Sequence, residues 1–472
     1  MRVHQAILRR AAVCALFLTL AVGACGRRVF LPDDTNVILI TIDTLRADHL
    51  GCYGHPTVKT PVIDRLATEG VRFSRATSQS HITQPSHVSI LTSRHPREHG
   101  VLDNNRAQIP DSISTLGAVL KGAGFRTVAV TSVKSLSPVH VKGLRRGFDT
   151  FYRPSRGERD AAATNEVFLR WLRRHHKERF FAWVHYFDPH LPYAPPEPYA
   201  SMYYSGDPRD PKFTSMGSAR FGPAFTDPNH WAHSQIAWLD GIRDFRYAVS
   251  RYEGEVSYVD AMIGEILGRL AALGLDRRTL VVLTADHGES LDENGIYLGH
   301  FALYQSTTRV PLIFWAPTVL HGPRTVDALV MSIDIMPTIL DLVRLEPPAD
   351  VSGRSLVPLL AGAWGREPHS YAYAEGQGGR QVMIRSADWE YIETRKAVAV
   401  AETFSRPPGA RELYHLAEDP GETNNLYAVD HGRAQELQQA LVGWEAARPA
   451  PPTLDEPRRA PAEFLKALGY AQ

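Results

Sequence analysis

Three aspartates each end an apolar run of the chain. Asp43 ends NVILITID, Asp188 ends RFFAWVHYFD and Asp286 ends TLVVLTAD, and His190 and His287 follow closely after the last two. Carboxylate oxygens and imidazole nitrogens are the ligands that zinc and manganese accept in proteins. Each aspartate alone would more often cap a helix or stabilise a turn. Together, at equivalent places, they predict a divalent-metal site.

The apolar runs predict the strands that bring these side chains together. They are continuous and rich in β-branched residues, as buried parallel strands are, and similar runs cover 127–133 and 310–317. Helical patterns lie between them, for example 60–70 and 252–274. Strands that alternate with helices predict an α/β fold with a doubly wound, mostly parallel sheet sandwiched by helices. Active sites of such sheets lie beyond the carboxyl ends of the strands, where the aspartates fall.

The stretch TQPSHVSILTSR (83–94) has the pattern of a loop that leads into a helix, with Pro85 in the first turn. Thr83 would then lie at the helix N-terminus, where backbone N–H groups and the helix dipole favour a bound anion. Coordination to a metal lowers the pKa of a hydroxyl and activates it. Thr83 is therefore a candidate nucleophile and a candidate metal ligand. The alternative is that Thr83 simply caps the helix.

Changes in composition divide the chain. Residues 36–365 carry the strand and helix patterns of a catalytic domain. Within it, 192–235 is rich in Pro, Tyr, Gly and Asp and is interpreted as an insertion on the substrate side. Residues 366–450 predict a small C-terminal α+β subdomain, and 451–472 form a Pro-rich tail.

The N-terminus has the pattern of an export signal. Three arginines precede a short apolar run, 11–22, and VGAC ends at Cys25 like a bacterial lipobox. We therefore expect 1–25 to be a lipoprotein-type signal peptide and the protein to be an exported lipoprotein, anchored through lipid on Cys25 and facing the periplasm or cell exterior. Ordinary cleavage after Ala24, or an uncleaved anchor, are the alternatives.

Composition narrows the function classes. The chain has 52 basic and 51 acidic residues, a net charge of +1, which argues against a nucleic-acid partner. Its only cysteines are Cys14, Cys25 and Cys52. If Cys14 is removed and Cys25 is lipidated, no internal disulfide can form. Stability must then come from a buried core, for which 44% hydrophobic residues suffice.

Six motifs, in order along roughly residues 36–427, resemble the sulfatase family of the alkaline-phosphatase superfamily. They are ITIDTLRADHLGCYG (40–54), TQPSHVSILTSR with a following HG, FDPHLPY (187–193), TADHGE (284–289), GHFALYQSTTRVPLI (299–313) and ELYHLAEDPGETNNL (412–426). The resemblance implies an α/β sandwich with a small C-terminal sheet domain. It also implies one or two divalent ions, with zinc or manganese favoured and calcium or magnesium possible, and a small-molecule or envelope phosphate or sulfate ester as substrate.

The resemblance also implies roles for residues around the metal. His190 and His300 would contact the anionic group, protonate the leaving oxygen, or hold a second ion with Asp188. The alternative for each histidine is a place in the core. Lys134 is positioned like the lysine that touches the anion in sulfatases, although its surroundings, SVKSLS, match the family poorly.

The chain departs from the typical sulfatase at the nucleophile. Sulfatases have Cys or Ser where Thr83 stands, oxidised to formylglycine, and Arg where His87 stands. Oxidation of a threonine would give a ketone and not the aldehyde that hydrates into the nucleophile. His87 takes the place of an arginine that supports that nucleophile, and we group it with the substrate-binding residues. Thr44 stands where many sulfatases have a further metal carboxylate, which weakens a calcium site of many oxygens.

The retained ligand set is Asp43, Thr83, Asp286 and His287. It resembles the threonine branch of the superfamily, which includes nucleotide phosphodiesterases, phosphoethanolamine transferases and lipoteichoic acid synthases, and in which threonine attacks phosphorus. The leading hypothesis is therefore a metal-dependent phosphoester hydrolase or phosphotransferase of the cell envelope. A sulfuric ester hydrolase without formylglycine and a catalytically degenerate, lipid-anchored binding protein are the alternatives.

Overall fold

The computed structural model describes residues 29–450 except 105, 106, 156, 220, 222–225, 229–232, 364–366, 402 and 403. The expected signal peptide, its cysteines Cys14 and Cys25, and the Pro-rich tail lie outside the described residues. Within the described residues, no helix combines the length and the apolar composition that crossing a bilayer requires.

Strands occur along the whole described chain. They are β1 (Asn36–Ile42), β2 (Val71–Thr77), β3 (Ala107–Gln108), β4 (Arg126–Val130), β5 (Val141–Lys142), β6 (Thr150–Tyr152), β7 (Phe180–Tyr186), β8 (Thr279–Ala285), β9 (Arg309–Trp315), β10 (Arg324–Met331), β11 (Ala372–Glu375), β12 (Gln381–Arg385), β13 (Trp389–Thr394), β14 (Val398–Ala401), β15 (Phe404–Arg406) and β16 (Arg411–His415).

Helices connect and cover the strands. In the described part of the chain they are α1 (Pro61–Glu69), α2 (Thr83–Thr92), α3 (Pro96–His99), α4 (Leu116–Gly122), α5 (Ala161–His175), α6 (His233–Ile236), α7 (Phe245–Ala272), α8 (Gln305–Thr308), α9 (Ile335–Leu342), α10 (Val357–Leu360) and α11 (His431–Ala446).

The main sheet has eight strands in the order β10-β2-β9-β8-β1-β7-β4-β6. All neighbouring pairs are parallel except the two that β9 makes, with β8 and with β2. The predicted doubly wound, mostly parallel α/β fold is confirmed. The run at 310–317 was expected to be parallel like the others, and this was wrong because a strand buried on both faces has the same apolar composition in either direction.

The centre of the sheet is the core of the larger domain. Every residue of β1, β7 and β8 is buried, and the largest of them include Trp183 and Tyr186. Full burial of each large apolar side chain contributes about 1.5–3 kcal/mol, so the strands that end at the predicted metal site lie in the most strongly stabilised region.

Two helix starts show what local sequence decides. The side chain of Asp160 accepts a hydrogen bond from the Ala163 N–H and caps α5, and Asp244 caps α7 in the same way through the Arg246 N–H. Because of that cap, α7 begins at Phe245, before the 252–274 that hydrophobic spacing predicts. Between 192 and 235 the described residues form mainly short turns, including Tyr199–Ser201 and Ser215–Ser218.

The C-terminal subdomain is an antiparallel sheet, β11-β12-β13-β16, covered by α11. Side chains of α11 such as Leu437 and Leu441 pack on one face of this sheet, against Ile384 among others. Its other face packs against Tyr304 of the larger domain. The subdomain is therefore fixed beside the loop that follows β8.

Candidate metal centre and active site

Adjacent strands place the predicted ligands side by side. β1 and β8 are parallel, and Ile42 pairs with Ala285, so Asp43 and Asp286 leave the sheet next to each other. The His287 Nε2 atom lies 3.4 Å from Asp286 Oδ2 and 3.7 Å from Asp43 Oδ1. The Thr83 Oγ1 atom lies 3.4 Å from the same nitrogen. The structure thus brings together the four residues that the sequence predicts as metal ligands.

The carboxylates of this group lack partners. Asp43 Oδ1, Asp43 Oδ2 and Asp286 Oδ2 are buried and, among the described residues, accept no hydrogen bond. Asp286 Oδ1 accepts only a local bond from the His287 N–H, at 2.8 Å. Buried charge without compensation is costly, and native proteins pair it or give it to a metal. The oxygens of Asp43 and Asp286 with the nitrogen of His287 fit a divalent ion, and their ligand atoms lie within 4.8 Å of one another.

The protonation of this group follows from its burial. Burial raises the pKa of both Asp43 and Asp286 well above the usual range, and the nearby Glu158 raises that of Asp43 further. Repulsion by Asp43 adds to the rise at Asp286. Burial lowers the pKa of His287 well below its ordinary value, so the imidazole is neutral at neutral pH. Its Nδ1–H donates to the Gly288 carbonyl at 3.0 Å, which leaves the Nε2 lone pair facing the two aspartates.

Thr83 is the first residue of α2 and not its cap. The capping position is Ile82, and no side chain caps this helix. Thr83 is almost fully buried, and its hydroxyl faces His287. The Gln84 N–H in the first turn is occupied by the Asn104 side chain, at 2.9 Å. Among the described residues, the Thr83 hydroxyl thus contacts His287, one of the candidate metal ligands, and not the backbone of its own helix.

His87 lies one helical turn after Thr83 and is fully buried. Its Nδ1–H donates to the Thr83 carbonyl at 2.8 Å and is 3.4 Å from Asp286 Oδ2. Its Nε2 therefore accepts, from the Thr41 hydroxyl at 3.1 Å, and Thr41 in turn accepts from the Trp183 indole N–H at 2.9 Å. Both ring nitrogens are engaged by the protein, and the contacts of His87 are with Thr83, the candidate ligand Asp286 and Thr41.

His190 and His300 form a cluster of neutral rings with His287, and the Nε2 atoms of both carry no proton. The His300 Nδ1–H donates to the His81 carbonyl at 2.8 Å, and the His190 Nδ1–H donates to the Leu191 carbonyl at 2.6 Å. The His300 ring centroid lies 4.3 Å from that of His287 and 5.5 Å from that of His190. Burial lowers the pKa of His190 to about 3 and that of His300 to about 4. In this state the Nε2 atom of each ring can accept a proton or bind a cation, but cannot donate.

Asp188 lies two residues after the end of β7, and burial raises the pKa of its carboxyl to about 7. Its Oδ2 atom has no hydrogen-bond partner among the described residues. In the described part of the chain, the groups of three side chains close enough to share one ion do not include Asp188, His190 or His300.

A second such group, His49, His55 and Glu253, lies outside the site. The Val58 N–H donates to His55 Nδ1 at 3.0 Å, so the proton of this neutral ring is on Nε2, the atom that faces Glu253. Arg246 already holds both Glu253 oxygens, at 3.0 and 2.6 Å. The proton on His55 Nε2 and the ion pair of Glu253 with Arg246 both occupy atoms that would have to bind a metal, so this group is not a metal site in the present arrangement.

Lys134 and Thr44 lie at the edges of the site. Lys134 is half-buried and begins a short turn whose next residue, Ser135, accepts a hydrogen bond from the Gln84 side chain at 3.0 Å. It is therefore close to the start of α2. Thr44 has φ 53°, in the left-handed region, and its buried hydroxyl has no partner among the described residues. A β-branched residue is strained there, as backbones at functional sites often are.

Sequence reasoning missed the residues behind the ligands. Thr41, Trp183 and His185 lie within strands, and His81 precedes α2. His81 donates from Nδ1 to the His300 carbonyl at 2.7 Å, which completes a two-bond bridge between the two loops. The signal in the sequence was a histidine inside a continuous apolar strand, because a buried histidine requires hydrogen-bond or ionic partners for its ring nitrogens.

Comparisons with known proteins identify the family of the chain. The sulfatase family model matches residues 35–345, and the model of the N-sulphoglucosamine sulphohydrolase C-terminal region matches 293–444. A Delta 4,5-hexuronate-2-O-sulfatase of Bacteroides thetaiotaomicron is 24% identical over 86% of this chain and 87% of its own.

Solved structures share the fold. A protein in complex with its substrate D-glucosamine-2-N,6-O-disulfate has a TM-score of 0.70 at 21% identity, over 89% of this chain and 98% of its own. The phosphonate monoester hydrolase of Agrobacterium radiobacter has a TM-score of 0.70 at 22% identity, over 88% and 96%. The chain belongs to the sulfatase family of hydrolases.

Proposed function

We propose that the protein is a metal-dependent phosphoester hydrolase or phosphotransferase that uses Thr83 as its nucleophile. The observation that carries the proposal is the Thr83 hydroxyl 3.4 Å from His287 Nε2, beside the unpartnered oxygens of Asp43 and Asp286. A threonine in this place cannot become the aldehyde of formylglycine. The hydroxyl itself is then the group that attacks.

Asp43, Asp286 and His287 would hold the ion, with Thr83 Oγ1 beside it. When bound, a divalent ion supplies charge that stabilises the threonine alkoxide and the transferring group. The chain's own residues do the rest. His87 fixes the backbone at Thr83, and His81 and His300 lock the facing loops together. Thr83 Oγ1 forms a bond to phosphorus while the bond from phosphorus to the leaving oxygen breaks.

The proton of the Thr83 hydroxyl needs an acceptor. His190 and His300 present bare Nε2 atoms, so one of them takes this proton and returns it to the leaving oxygen. The same lone pairs would suit a second ion, with Asp188 as the further carboxylate that the family resemblance implies. Water or an alcohol then releases the phosphoryl group from Thr83, and that choice separates a hydrolase from a transferase.

A second candidate function is hydrolysis of sulfate esters by Thr83 directly. One relative is a Delta 4,5-hexuronate-2-O-sulfatase, one structural neighbour has D-glucosamine-2-N,6-O-disulfate as its substrate, and the C-terminal match is to a sulphohydrolase model. Phosphonate monoester hydrolases among the structural neighbours favour phosphorus. The Thr83 nucleophile favours a small-molecule or envelope phosphate ester as substrate. The relatives favour a sulfated sugar.

The test is a substrate panel with matched variants. A model phosphodiester, phosphomonoester, phosphonate monoester and aryl sulfate are each assayed with the wild type, Thr83→Ala, Thr83→Ser and the surface control Thr68→Ala. We expect phosphoester turnover that Thr83→Ala abolishes, Thr83→Ser partly retains and Thr68→Ala leaves unchanged. Turnover of the sulfate alone, dependent on Thr83, would replace the proposal with the second candidate.

We also propose that the protein is an envelope lipoprotein anchored through Cys25. The proposal is supported by the basic and apolar pattern before VGAC in the sequence. Detergent partitioning of the native protein against Cys25→Ser tests it. We expect the wild type in the membrane fraction and Cys25→Ser largely in the aqueous fraction, and equal partitioning would contradict the anchor.

A further inference from the structure

His185 is a buried polar residue that none of the proposed steps uses. It lies on β7, where it pairs with Thr41 of β1, two residues before Asp43. Its side chain is completely buried in a strand whose other residues are also buried. A histidine at such a position either satisfies both ring nitrogens locally or serves a neighbouring group.

The hydrogen bonds of His185 fix its tautomer. The Ser132 backbone N–H donates to Nδ1 at 3.2 Å, so Nδ1 is an acceptor and the proton of the neutral ring is on Nε2. The Ser132 hydroxyl also donates to the His185 carbonyl. The Nε2–H has no hydrogen-bond partner among the described residues. It lies 3.6 Å from Asp43 Oδ2, which also lacks one.

The two carboxylate oxygens of Asp43 thus have different surroundings. Oδ2 faces the Nε2–H of His185, and Oδ1 faces the bare Nε2 of His287 at 3.7 Å. Oδ2 therefore lies beside a hydrogen-bond donor, whereas Oδ1 lies beside the nitrogen that is the proposed metal ligand of His287. The ring of His87 packs edge-on against that of His185, with centroids 4.9 Å apart, and limits its rotation.

We propose that His185 is a positioning residue of the metal centre, whose Nε2–H donates to Asp43 Oδ2 and so directs Oδ1 to the ion. The inference rests on the proposed metal centre, but not on the choice between phosphorus and sulfur. A closure of a few tenths of an ångström turns the 3.6 Å approach into a hydrogen bond. Partners of this kind orient ligating carboxylates and tune metal affinity.

The test compares two substitutions in the full-length chain. Gln places an amide N–H near the position of the histidine Nε2–H, whereas Phe keeps the ring volume and removes the donor. Zinc and manganese affinities are measured by chelator competition, and kcat and KM on the best substrate of the panel are measured in parallel. We expect H185F to weaken metal affinity by about 10- to 100-fold and to lower kcat more than it raises KM. We expect H185Q to recover most of both.

Equal metal affinity of folded H185F and wild type would overturn the role of His185 and leave the proposed function intact. A wild type that binds neither ion would overturn the metal centre itself, and the inference with it. A second measurement uses only the wild type and therefore tests the proposal even if H185F does not fold. In histidine-labelled protein, 15N NMR should show a ring with its proton on Nε2 that keeps this proton when metal binds. Loss of that proton on metal binding would make His185 a ligand and contradict a positioning role.

Discussion

Asp43→Asn should stabilise the metal-free protein and remove most of the stabilisation that metal gives to the wild type. In the metal-free protein the Asp43 and Asp286 carboxylates are buried and close, three of their four oxygens have no hydrogen-bond partner among the described residues, and burial and repulsion by Asp43 raise the pKa of Asp286. Removing one charge relieves this repulsion. We expect metal-free Asp43→Asn to be more stable than metal-free wild type by about 1–3 kcal/mol, because the removed charge no longer perturbs the pKa of Asp286 and one pKa unit corresponds to about 1.4 kcal/mol. For a chain of this size that is about 1 °C in Tm per kcal/mol.

Metal should reverse the order. An ion at about 100 times its Kd stabilises the wild type by about 2.7 kcal/mol, whereas Asp43→Asn loses a ligand and most of this gain. The pH dependence has a defined sign. The folded pKa values of Asp43 and Asp286 are raised, so their contribution to stability is present at low pH and is lost as pH rises through those values. The metal-free wild type should therefore lose stability relative to Asp43→Asn as pH rises.

Differential scanning calorimetry after chelation, with and without added zinc or manganese, measures these shifts. Asp334→Asn is the matched control, because Asp334 is equally buried but accepts hydrogen bonds from the Met331 and Arg354 N–H groups at 2.8 Å and lies 2.9 Å from His369 Nε2. It should destabilise the protein with or without metal. A metal-free Asp43→Asn that is less stable than metal-free wild type, or that responds to metal as the wild type does, would refute the reasoning.

Three further substitutions test the surroundings of the site. Arg97→Ala removes the guanidinium that lies 2.8 Å from the buried Glu375 carboxylate, and it should lower the free energy of unfolding in urea by about 3–5 kcal/mol. A decrease below about 1 kcal/mol would contradict a structural role for this ion pair. Thr41→Val removes the hydroxyl that accepts from the Trp183 indole and donates to His87, so it should lower the free energy of unfolding by about 1–3 kcal/mol, measured by calorimetry. It should also lower kcat more than it changes KM. An unchanged kcat would contradict the proposal that His87 positions Thr83 for attack. Burial raises the pKa of Asp188 to about 7, so between about pH 4 and 7 the native state keeps a proton that the unfolded chain releases, and stability falls as pH rises. Asp188→Asn should make this fall smaller. An unchanged dependence of stability on pH would contradict the prediction.

The proximity of the candidate metal ligands could be predicted from sequence because parallel strands end at one edge of the sheet. Asp43 and Asp286 each end a recognisable strand, and His287 follows directly, so strand assignment alone brings them together. The direction of β9 could not be predicted, since composition does not distinguish parallel from antiparallel pairing of a fully buried strand.

The orientation of the histidines could not be read from the sequence either. His87 lies in a helix that is buried on every side, so helical periodicity gives no face for it. His185 lies in an apolar strand where alternation gives no signal. The roles of His190 and His300 depend on which backbone carbonyl their Nδ1–H reaches, and this is decided by loops that approach each other only in the folded chain.

The central claim is that the Thr83 hydroxyl attacks phosphorus. Acid quenching during turnover of a model phosphodiester, followed by mass spectrometry of the peptides, tests it most directly because phosphothreonine survives acid. A phosphoryl group on Thr83 that accumulates only with substrate is the predicted result. A modification at any other residue, or turnover without a modified Thr83 under conditions in which release is slow, would contradict it.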